Sequence, residues 1–158
     1  MSGSNMAKKV AFITGAGSGI GAEVAKRLDR AGYSLIISGS NTNKLQLLAA
    51  QLQSSPVIEV ADLTSWNDVQ DLCHKLRDNY AGLAIAFINA GTVEIGPFAE
   101  RTTDTIDREI DINLRSALHL IHACIPGMQT QQSGHIIATS SIGGTLAMRG
   151  SSVYSATK

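Results

Sequence analysis

The sequence predicts a three-layer α/β/α fold built on a doubly wound parallel sheet. Short apolar runs alternate along the chain with segments of helical periodicity, and this alternation is typical of β–α–β units. The apolar runs are continuous rather than alternating between apolar and polar residues, as expected of strands that are buried on both faces. A chain of 158 residues has room for one compact domain, so these elements are expected to share a single sheet.

Five apolar runs are the predicted strands. The first run leads into a glycine-rich turn, and the third follows Pro56, which cannot continue a helix. In chain order the predicted strands are Lys9–Thr14, Tyr33–Ser38, Val57–Val60, Leu83–Ile88 and Ile136–Thr139. The carboxyl ends of parallel strands meet at one edge of a sheet, and ligands of such folds bind there.

The helices are predicted from apolar residues spaced three and four apart. Gly32 suits the left-handed end of the first helix, and Ser65 followed by Asp68 is a capping pattern for the start of the third. The predicted helices are Ile20–Ala31, Asn43–Leu52, a segment that begins after Ser65, and a long helix from about Thr103 to Met128.

Composition excludes several classes of partner. Lys plus Arg and Asp plus Glu both number 13, so no net charge draws in nucleic acid or an anionic membrane. No apolar run has the length of a membrane span. Residues 1–6 have no apolar signal region and are expected to be an expression scar, which leaves residues 7–158 as the domain. Cys73 and Cys124 are expected to be reduced thiols in buried helices of a cytoplasmic protein.

A glycine-rich turn joins the first strand to the first helix. Its glycines are Gly15, Gly17, Gly19 and Gly21. Such a turn lets a pyrophosphate approach the amides at the start of the helix. The spacing is G-x-x-x-G-x-G, which differs from the G-x-G-x-x-G of many dinucleotide-binding proteins. The alternative is a turn that only packs the helix against the strand.

Several motifs together resemble the short-chain dehydrogenase/reductase family. Thr14–Gly21 resembles its cofactor signature T-G-x-x-x-G-x-G, and Asn89–Gly91 looks like its N-A-G motif. The positions that fall where the catalytic tetrad of the family would lie are Asn113, Ser141, Tyr154 and Lys158. The resemblance implies a Rossmann-type fold that is incomplete at its C-terminal side, because residues 8–158 cover only the earlier part of a typical family domain.

The resemblance implies an NAD(P)-dependent oxidoreductase that interconverts a ketone and a secondary alcohol by hydride transfer, with Tyr154 as acid and base. A phenol is a poor base near neutral pH. Lys158 lies one helical turn further on, where its ammonium favours the phenolate. By the same resemblance, Lys158 holds the ribose of the nicotinamide, Ser141 binds the substrate oxygen, and Asn113 holds a water in a proton relay.

The cofactor contacts are likewise carried over from the family. They are Gly15, Ser18, Gly19, Ile20, Gly21, Ser40, Asp62, Asn89, Ala90, Gly91, Tyr154 and Lys158. An acid after the second strand would bind the ribose 2′-hydroxyl of NAD, but the segment 38–44 contains none. Its small polar residues leave room for a 2′-phosphate, with Lys44 as a distant cation. The sequence therefore favours NADP(H) over NAD(H).

Each predicted site residue has a structural alternative. Tyr154 and Lys158 also suit a surface pair on a helix, and Ser141 suits the end of a strand. Asn113 suits a helix surface or a satisfied core amide, and Asp62 suits a plain turn. For the chain as a whole, the alternative is a truncated, non-catalytic remnant that at most binds nucleotide or associates with itself.

The remaining patterns point to no other chemistry. His119 and His122 lie three apart on the long helix without a third ligand nearby, so no metal site is predicted. Arginines recur every seven residues on a face expected to be solvated, which disfavours a nucleic-acid stripe; they are Arg101, Arg108 and Arg115.

Two loops are expected to select the substrate. The segments 92–98 and 143–152 are mostly small or apolar, which hints at a modest, largely uncharged carbonyl compound. By family resemblance, the helices that carry Asn113 and Tyr154 would pair subunits, so a homo-oligomer is expected.

Overall fold

The computed structural model describes residues 9–80, 82–146 and 148–158. These residues form a parallel sheet of five strands in the order β3-β2-β1-β4-β5, with helices on both faces. The predicted α/β fold is therefore confirmed. The predicted expression scar at residues 1–6 lies outside the described residues.

The observed elements lie within a few residues of their predicted positions. The strands are β1 Val10–Thr14, β2 Ser34–Gly39, β3 Val57–Val60, β4 Leu83–Ile88 and β5 His135–Ala138. The α-helices are α1 Gly19–Arg30, α2 Thr42–Ala49, α3 Trp66–Asp78, α4 Thr103–Ile110, α5 Ser116–Thr130 and α6 Ser152–Thr157. A π-helical segment, Asp111–Arg115, joins α4 to α5, and 3₁₀ turns cover Phe98–Glu100 and Ile142–Gly144.

The strand order places a crevice above β1 and β4. Phe12 at the centre of β1 lies opposite Ile36 of β2 and Ala86 of β4. The chain runs outward from β1 to β3 and then crosses back to place β4 on the other side of β1. Loops therefore diverge at the carboxyl ends of β1 and β4, and open α/β sheets bind ligands at such a point.

Two apolar cores hold the helices against the sheet. On one face α3 and α5 contribute buried side chains such as Leu72 and Leu120, and on the other face α1 and α2 contribute Ala25 and Leu45. Continuous apolar strands suit this arrangement, since each central strand must present apolar groups to both cores.

The two cysteines are buried free thiols, as the sequence predicted. Burial raises the pKa of Cys73, and the nearby Arg77 opposes that effect only in part. Burial and then the neighbouring Cys73 raise the pKa of Cys124 to about 12. Both thiols are therefore protonated near neutral pH, which makes them weak nucleophiles.

The predicted helix boundaries at Gly32 and Ser65 are confirmed. Gly32 has a positive φ of 85° and its N–H donates to the Asp29 carbonyl at 2.9 Å, so α1 closes with a left-handed residue. Ser65 accepts from the Asp68 N–H at 3.3 Å and its hydroxyl donates to that carboxylate at 2.8 Å.

Three expectations are wrong in detail. The long helix is not uniform, because its turn at Asp111–Arg115 is π-helical. β5 is not buried on both faces, since all four of its residues are exposed; it is an edge strand and pairs only with β4 among the described residues. Arg101 does not lie on a solvated face, because its side chain is 3% exposed and pairs with the buried Glu109.

None of the helices in the described ranges combines the length and the hydropathy that a membrane span requires.

Candidate active site

The glycine turn packs tightly on one side and is open on the other. A Cβ on Gly15 would lie 2.9 Å from Ala90 Cα, and a Cβ on Gly21 would collide with the carbonyl oxygen of Gly15. Gly19, in contrast, has a positive φ of 53°, and a Cβ built on it would meet open space. The absence of side chains at Gly15 and Gly21 therefore lets the turn pack closely against the end of β4. The outer side of the turn, at Gly19, stays accessible to a ligand.

The N-terminus of α1 has the properties of an anion site. Ser18 occupies the N-cap position but makes no side-chain capping hydrogen bond, and the first turn contains no acidic residue. The first N–H groups of a helix have no intrahelical acceptor, and the helix dipole favours negative charge there. A pyrophosphate fits these donors, so the turn suits a dinucleotide.

Two adjoining clefts extend from this turn along the carboxyl edge of the sheet. The larger, of about 260 Å³, is lined by Gly15, Gly39, Ser40, Ala61, Asp62, Leu63, Ala90, Gly91, Thr92, Arg108 and Ile112. The smaller, of about 150 Å³, is lined by Gly15, Gly17, Ser18, Gly39, Ser40, Asn41, Lys44 and Leu45. Gly15 and Ser40 belong to both. These clefts give an elongated ligand a continuous path over the sheet.

Half of the twelve predicted cofactor residues line these clefts; they are Gly15, Ser18, Ser40, Asp62, Ala90 and Gly91. The other six are not among the lining residues. Ile20 is 60% exposed and does not line either cleft. Gly21 lies beneath the turn, against Gly15 and the Asn89 side chain. Asn89 supports the cleft floor rather than lining it.

Asn89 ties the ends of three strands together. The Thr14 hydroxyl accepts from the N–H groups of Asn89 at 2.9 Å and Ala90 at 3.0 Å. The Asn89 amide donates to the Thr14 carbonyl at 3.3 Å and accepts from the Thr139 hydroxyl at 3.0 Å. These bonds link β1, β4 and the segment after β5, so the cofactor side and the catalytic side of the cleft share one framework.

Asp62 lies in a constrained turn beside the larger cleft. Its Oδ1 accepts from the N–H and the hydroxyl of Thr64, while its own N–H donates to Asp68 at 2.9 Å. Hydrogen bonds from Asp62 and then from Ser65 hold the pKa of the Asp68 carboxyl below its ordinary value, against the smaller opposing effect of burial. Asp68, which bonds to the N-cap residue Ser65 of α3, thus also positions Asp62, one of the predicted cofactor contacts.

Lys158 and Tyr154 come together through α6, although Lys158 lies just past the last helical residue. The Lys158 ammonium is 5.9 Å from the centroid of the Tyr154 ring, within the range of a cation–π contact. It donates to the Thr139 carbonyl at 3.0 Å and lies so close to Gly91 that a Cβ there would be 3.2 Å from Nζ. The ammonium therefore stands between the phenol and the larger cleft.

Ser141 and Tyr154 approach each other around Gly143. The Ser141 Oγ accepts from the Gly143 N–H at 3.1 Å, and a Cβ on Gly143 would lie 3.2 Å from Cε1 of Tyr154. Because this bond uses a lone pair of Oγ, the Ser141 hydroxyl hydrogen stays available to a substrate oxygen.

Asn113 is a buried amide at the centre of the π-helical segment, 6% exposed. Its Oδ1 accepts from the Thr92 N–H at 2.8 Å, and its Nδ2 donates to the Thr92 carbonyl at 2.8 Å and to the Thr157 hydroxyl at 3.1 Å. Both N–H bonds are thus used, and Oδ1 has the remaining lone pair. Asn113 connects the long helix to the loop after β4 and to α6.

Sequence reasoning missed several residues of this site. Thr139, Gly143 and Thr157 each contact a predicted catalytic side chain, and Arg108 and Ile112 line the larger cleft. The threonines and Gly143 are close in sequence to Ser141 or Lys158, which was the only signal available. Arg108 and Ile112 gave none, because their contribution depends on how α4 packs over the cleft.

The loop beside Tyr154 and the loop that contacts it carry a rim of exposed apolar side chains. A Cβ on Gly143 would contact both the Tyr154 ring and the sulfur of Met148, and a Cβ on Gly150 would contact Ile95. The exposed large apolar residues of the two loops are Val93, Ile95, Phe98, Leu146 and Met148, and Ile142 comes directly before the second loop. Exposed apolar side chains concentrated at one site are typical of a surface that receives a ligand or a partner.

The chain resembles known proteins along nearly all of its length. Residues 9–158 match the family described as short chain dehydrogenase. An uncharacterized oxidoreductase of Staphylococcus aureus strain MW2 is 36% identical over 151 residues, which are 95% of this chain and 65% of that protein. A counterpart from Staphylococcus epidermidis is 33% identical, over 96% of this chain and 66% of that protein. The chain thus spans slightly less than two thirds of the length of these curated relatives.

Solved structures agree with this match. A short-chain dehydrogenase from Sphingobium yanoikuyae in complex with NADPH superposes with a TM-score of 0.89 and 34% identity, over 95% of this chain and 60% of that chain. The bulky-bulky ketone specific alcohol dehydrogenase from Comamonas testosteroni superposes with a TM-score of 0.88 and 31% identity, over 95% and 61% of the two chains.

Proposed function

The chain belongs to the short chain dehydrogenase family, and on that premise we propose that it is an NAD(P)-dependent oxidoreductase that interconverts a ketone and a secondary alcohol. One observation carries the proposal: the Lys158 ammonium lies 5.9 Å from the Tyr154 ring and beside Gly91, which lines a cleft that suits a dinucleotide. A bound nicotinamide would supply or accept the hydride.

Tyr154 is the proposed proton donor and acceptor. During reduction its phenol gives a proton to the carbonyl oxygen, and during oxidation the phenolate takes the proton back. The adjacent Lys158 ammonium stabilises the phenolate, and its hydrogen bond to the Thr139 carbonyl keeps it in place. The Ser141 hydroxyl, whose hydrogen has no acceptor among the described residues, would orient the same substrate oxygen.

We further propose that the cofactor is NADP(H) rather than NAD(H). Ser18, Ser40, Asn41 and Lys44 line the smaller cleft, where hydroxyl and amide groups and one ammonium would surround a 2′-phosphate. No carboxylate is among its described lining residues to repel that phosphate. The similar dehydrogenase from Sphingobium yanoikuyae, solved with NADPH, supports the same choice. Titration with NADPH and NADH tests it, and equal affinity for both would contradict the preference.

The proposed substrate is an uncharged ketone with largely apolar substituents. The rim near Tyr154 carries Ile95 at 72% exposure, Ile142 at 67% and Met148 at 48%. A substrate that covers these side chains would release apolar surface from water. The Comamonas testosteroni enzyme described as bulky-bulky ketone specific is consistent with this class.

Self-association through α5 is also proposed. Leu118 of α5 and Leu114, four residues earlier in the π-helical segment, are 57% and 39% exposed, and Trp66, whose ring lies against His119 of α5, is 44% exposed. A second copy of the chain would cover this apolar face. Sedimentation velocity over a concentration series tests the proposal, and a monomer at all concentrations would contradict it.

A cytoplasmic location is proposed from the cysteines. Cys73 and Cys124 are free and buried, and reduced thiols of this kind are typical of a reducing compartment. Fractionation of cells that express the chain tests the location.

The decisive experiment substitutes the phenol. Tyr154→Phe should lower turnover of NADPH with a ketone probe such as propiophenone by about a thousandfold, since it removes the proton donor. NADPH affinity, measured by fluorescence, should change far less. Tyr33→Phe is the matched control, because Tyr33 packs at the edge of the core remote from the site, and it should retain turnover.

The alternatives give different outcomes. Full activity of Tyr154→Phe would contradict the proposed mechanism. NADPH binding without turnover of any ketone by the unsubstituted chain would support the alternative, a nucleotide-binding chain that does not catalyse.

A further inference from the structure

A buried ion pair lies under the loop that follows β4. Nη1 of Arg101 is 2.7 Å from Oε2 of Glu109, and the two side chains are 3% and 1% exposed. Buried charges are rare because their desolvation is costly, and the attraction within a pair often does no more than offset that cost. A pair of this kind therefore calls for an explanation other than stability.

The pair holds the loop to the start of α4. Nη2 of Arg101 donates to the Thr105 carbonyl at 3.2 Å and lies 3.9 Å from the Glu94 carboxylate. Oε1 of Glu109 accepts from the Glu94 N–H at 3.3 Å. Arg101 thus lies near the side chain of Glu94, and Glu109 accepts a hydrogen bond from the backbone of Glu94.

The same loop contacts the segment that leads into α6. The Gly96 N–H donates to the Gly150 carbonyl at 2.9 Å, and Ile95 packs on Gly150. The next residue, Ser151, is buried and bonds the Met148 carbonyl at 3.0 Å. A path of direct contacts therefore runs from the ion pair through Glu94–Gly96 to Met148, whose sulfur lies near the Tyr154 ring.

We infer that Arg101 and Glu109 are positioning residues that fix the apolar wall formed by Ile95 and Met148 beside Tyr154. The ion pair keeps the two charges together, and the hydrogen bonds of Arg101 to the Thr105 carbonyl and of the Glu94 N–H to Glu109 orient the backbone around them. Hydrogen bonds to charged groups define the position of a loop more narrowly than apolar contacts do. Among the described residues, the loop is also held by the bonds between Thr92 and Asn113 and by the backbone bond from Gly96 to Gly150. The inference rests on the proposed function for the identity of the site, but its first test does not require turnover.

The first test distinguishes an effect of the ion pair on the position of the loop from an effect on the stability of the fold. Arg101→Met leaves the Glu109 carboxylate buried without its positively charged partner and should lower the urea midpoint of unfolding strongly. The double variant R101M/E109M removes both charges and should recover most of that midpoint, because apolar replacement of a buried pair is often neutral. Amide hydrogen exchange at Glu94 and Gly96 should nevertheless be about fivefold faster in the double variant, as expected for the loss of about one hydrogen bond.

The control is an exposed pair of the same kind. Arg27 and Glu23 are joined at 3.1 Å with side chains 74% and 52% exposed, so Glu23→Gln should leave both the midpoint and the loop exchange unchanged. Unchanged exchange at Glu94 and Gly96 in the double variant would overturn the inference. So would a double variant as unstable as Arg101→Met, since the pair would then serve stability alone.

A kinetic measurement adds the functional readout. With propiophenone as the probe, the double variant should raise KM by about tenfold with little change in kcat, because the wall binds substrate but transfers no proton. An unchanged KM would overturn the inference. Should the unsubstituted chain turn over no ketone, the proposed function fails, and the exchange measurement still decides whether the pair positions the loop.

Discussion

β2 and β5 have similar sequences and opposite surroundings. Both are short runs of isoleucine with few polar residues. Ile37 of β2 is 0% exposed between β1 and β3, whereas Ile137 of β5 is 47% exposed on a strand that pairs only with β4 in the described chain. The apolar pattern that predicts a strand therefore does not predict its burial, because burial depends on which elements lie beside the strand.

The nucleotide half and the catalytic half of the candidate site differ in the same way, because one lies at the buried strands and the other at the edge strand. The glycine turn follows β1 and borders β2, so it rests on the most buried part of the sheet. Ser141 follows the edge strand, Tyr154 belongs to the short α6, and Lys158 comes directly after it. The nucleotide half is thus expected to be rigid, and the catalytic half to depend on individual hydrogen bonds such as that from Lys158 to Thr139.

The largest expected effect concerns the rigid half. In Gly21→Ala, the new methyl group collides with the Gly15 carbonyl and comes within 2.9 Å of the Asn89 amide, so the turn must move. A cost of about 3 kcal/mol corresponds to a loss of roughly a hundredfold in NADPH affinity, measured by fluorescence titration. Gly82→Ala, where a Cβ meets open space, is the control, and equal affinity of the two variants would break the comparison.

The next prediction compares the two strands directly, and its result is the difference between two variants. Ile37→Ala should lower the free energy of unfolding by about 3 kcal/mol, as for a buried isoleucine. Ile137→Ala should lower it by less than about 1 kcal/mol, because the residue is half exposed. Urea denaturation of both variants gives the values, and similar losses would show that β5 is covered in solution.

The smallest expected effect concerns Asp29, a residue of α1 whose carboxylate accepts hydrogen bonds from the segment after α2. Burial would raise the pKa of Asp29, but hydrogen bonds from the N–H groups of Gln53 at 2.7 Å and Ser54 at 2.9 Å, with a contribution from the Ser54 hydroxyl, bring it below its ordinary value. A carboxyl with a lowered pKa in the folded state stabilises the protein above its unfolded-state pKa, and loses that contribution as the pH falls through the folded value.

Asp29→Asn should therefore cost about 1 kcal/mol near neutral pH, and the difference from the unsubstituted chain should shrink as the pH falls below about 4. Urea denaturation over a pH series measures it. A difference that does not vary with pH would mean that the charge of Asp29 contributes nothing to the fold.

The sequence by itself determined the strands, most helices, the glycine turn and the motif positions of the site. These features are local, since apolar periodicity, capping at Ser65 and the helix end at Gly32 depend on neighbours within one or two turns. The family resemblance added the predicted catalytic residues, and the structure brings Tyr154, Lys158 and Ser141 to one edge of the sheet.

Only the tertiary structure decided the exposure of β5, the burial of Arg101 against Glu109, and the π-helical turn that carries Asn113. Each depends on how segments pack in space, as the bonds from Asn113 to the distant Thr92 and Thr157 illustrate. The free energy of burying a charge or an apolar side chain is set by what surrounds it in space, and spacing along a sequence does not contain that information.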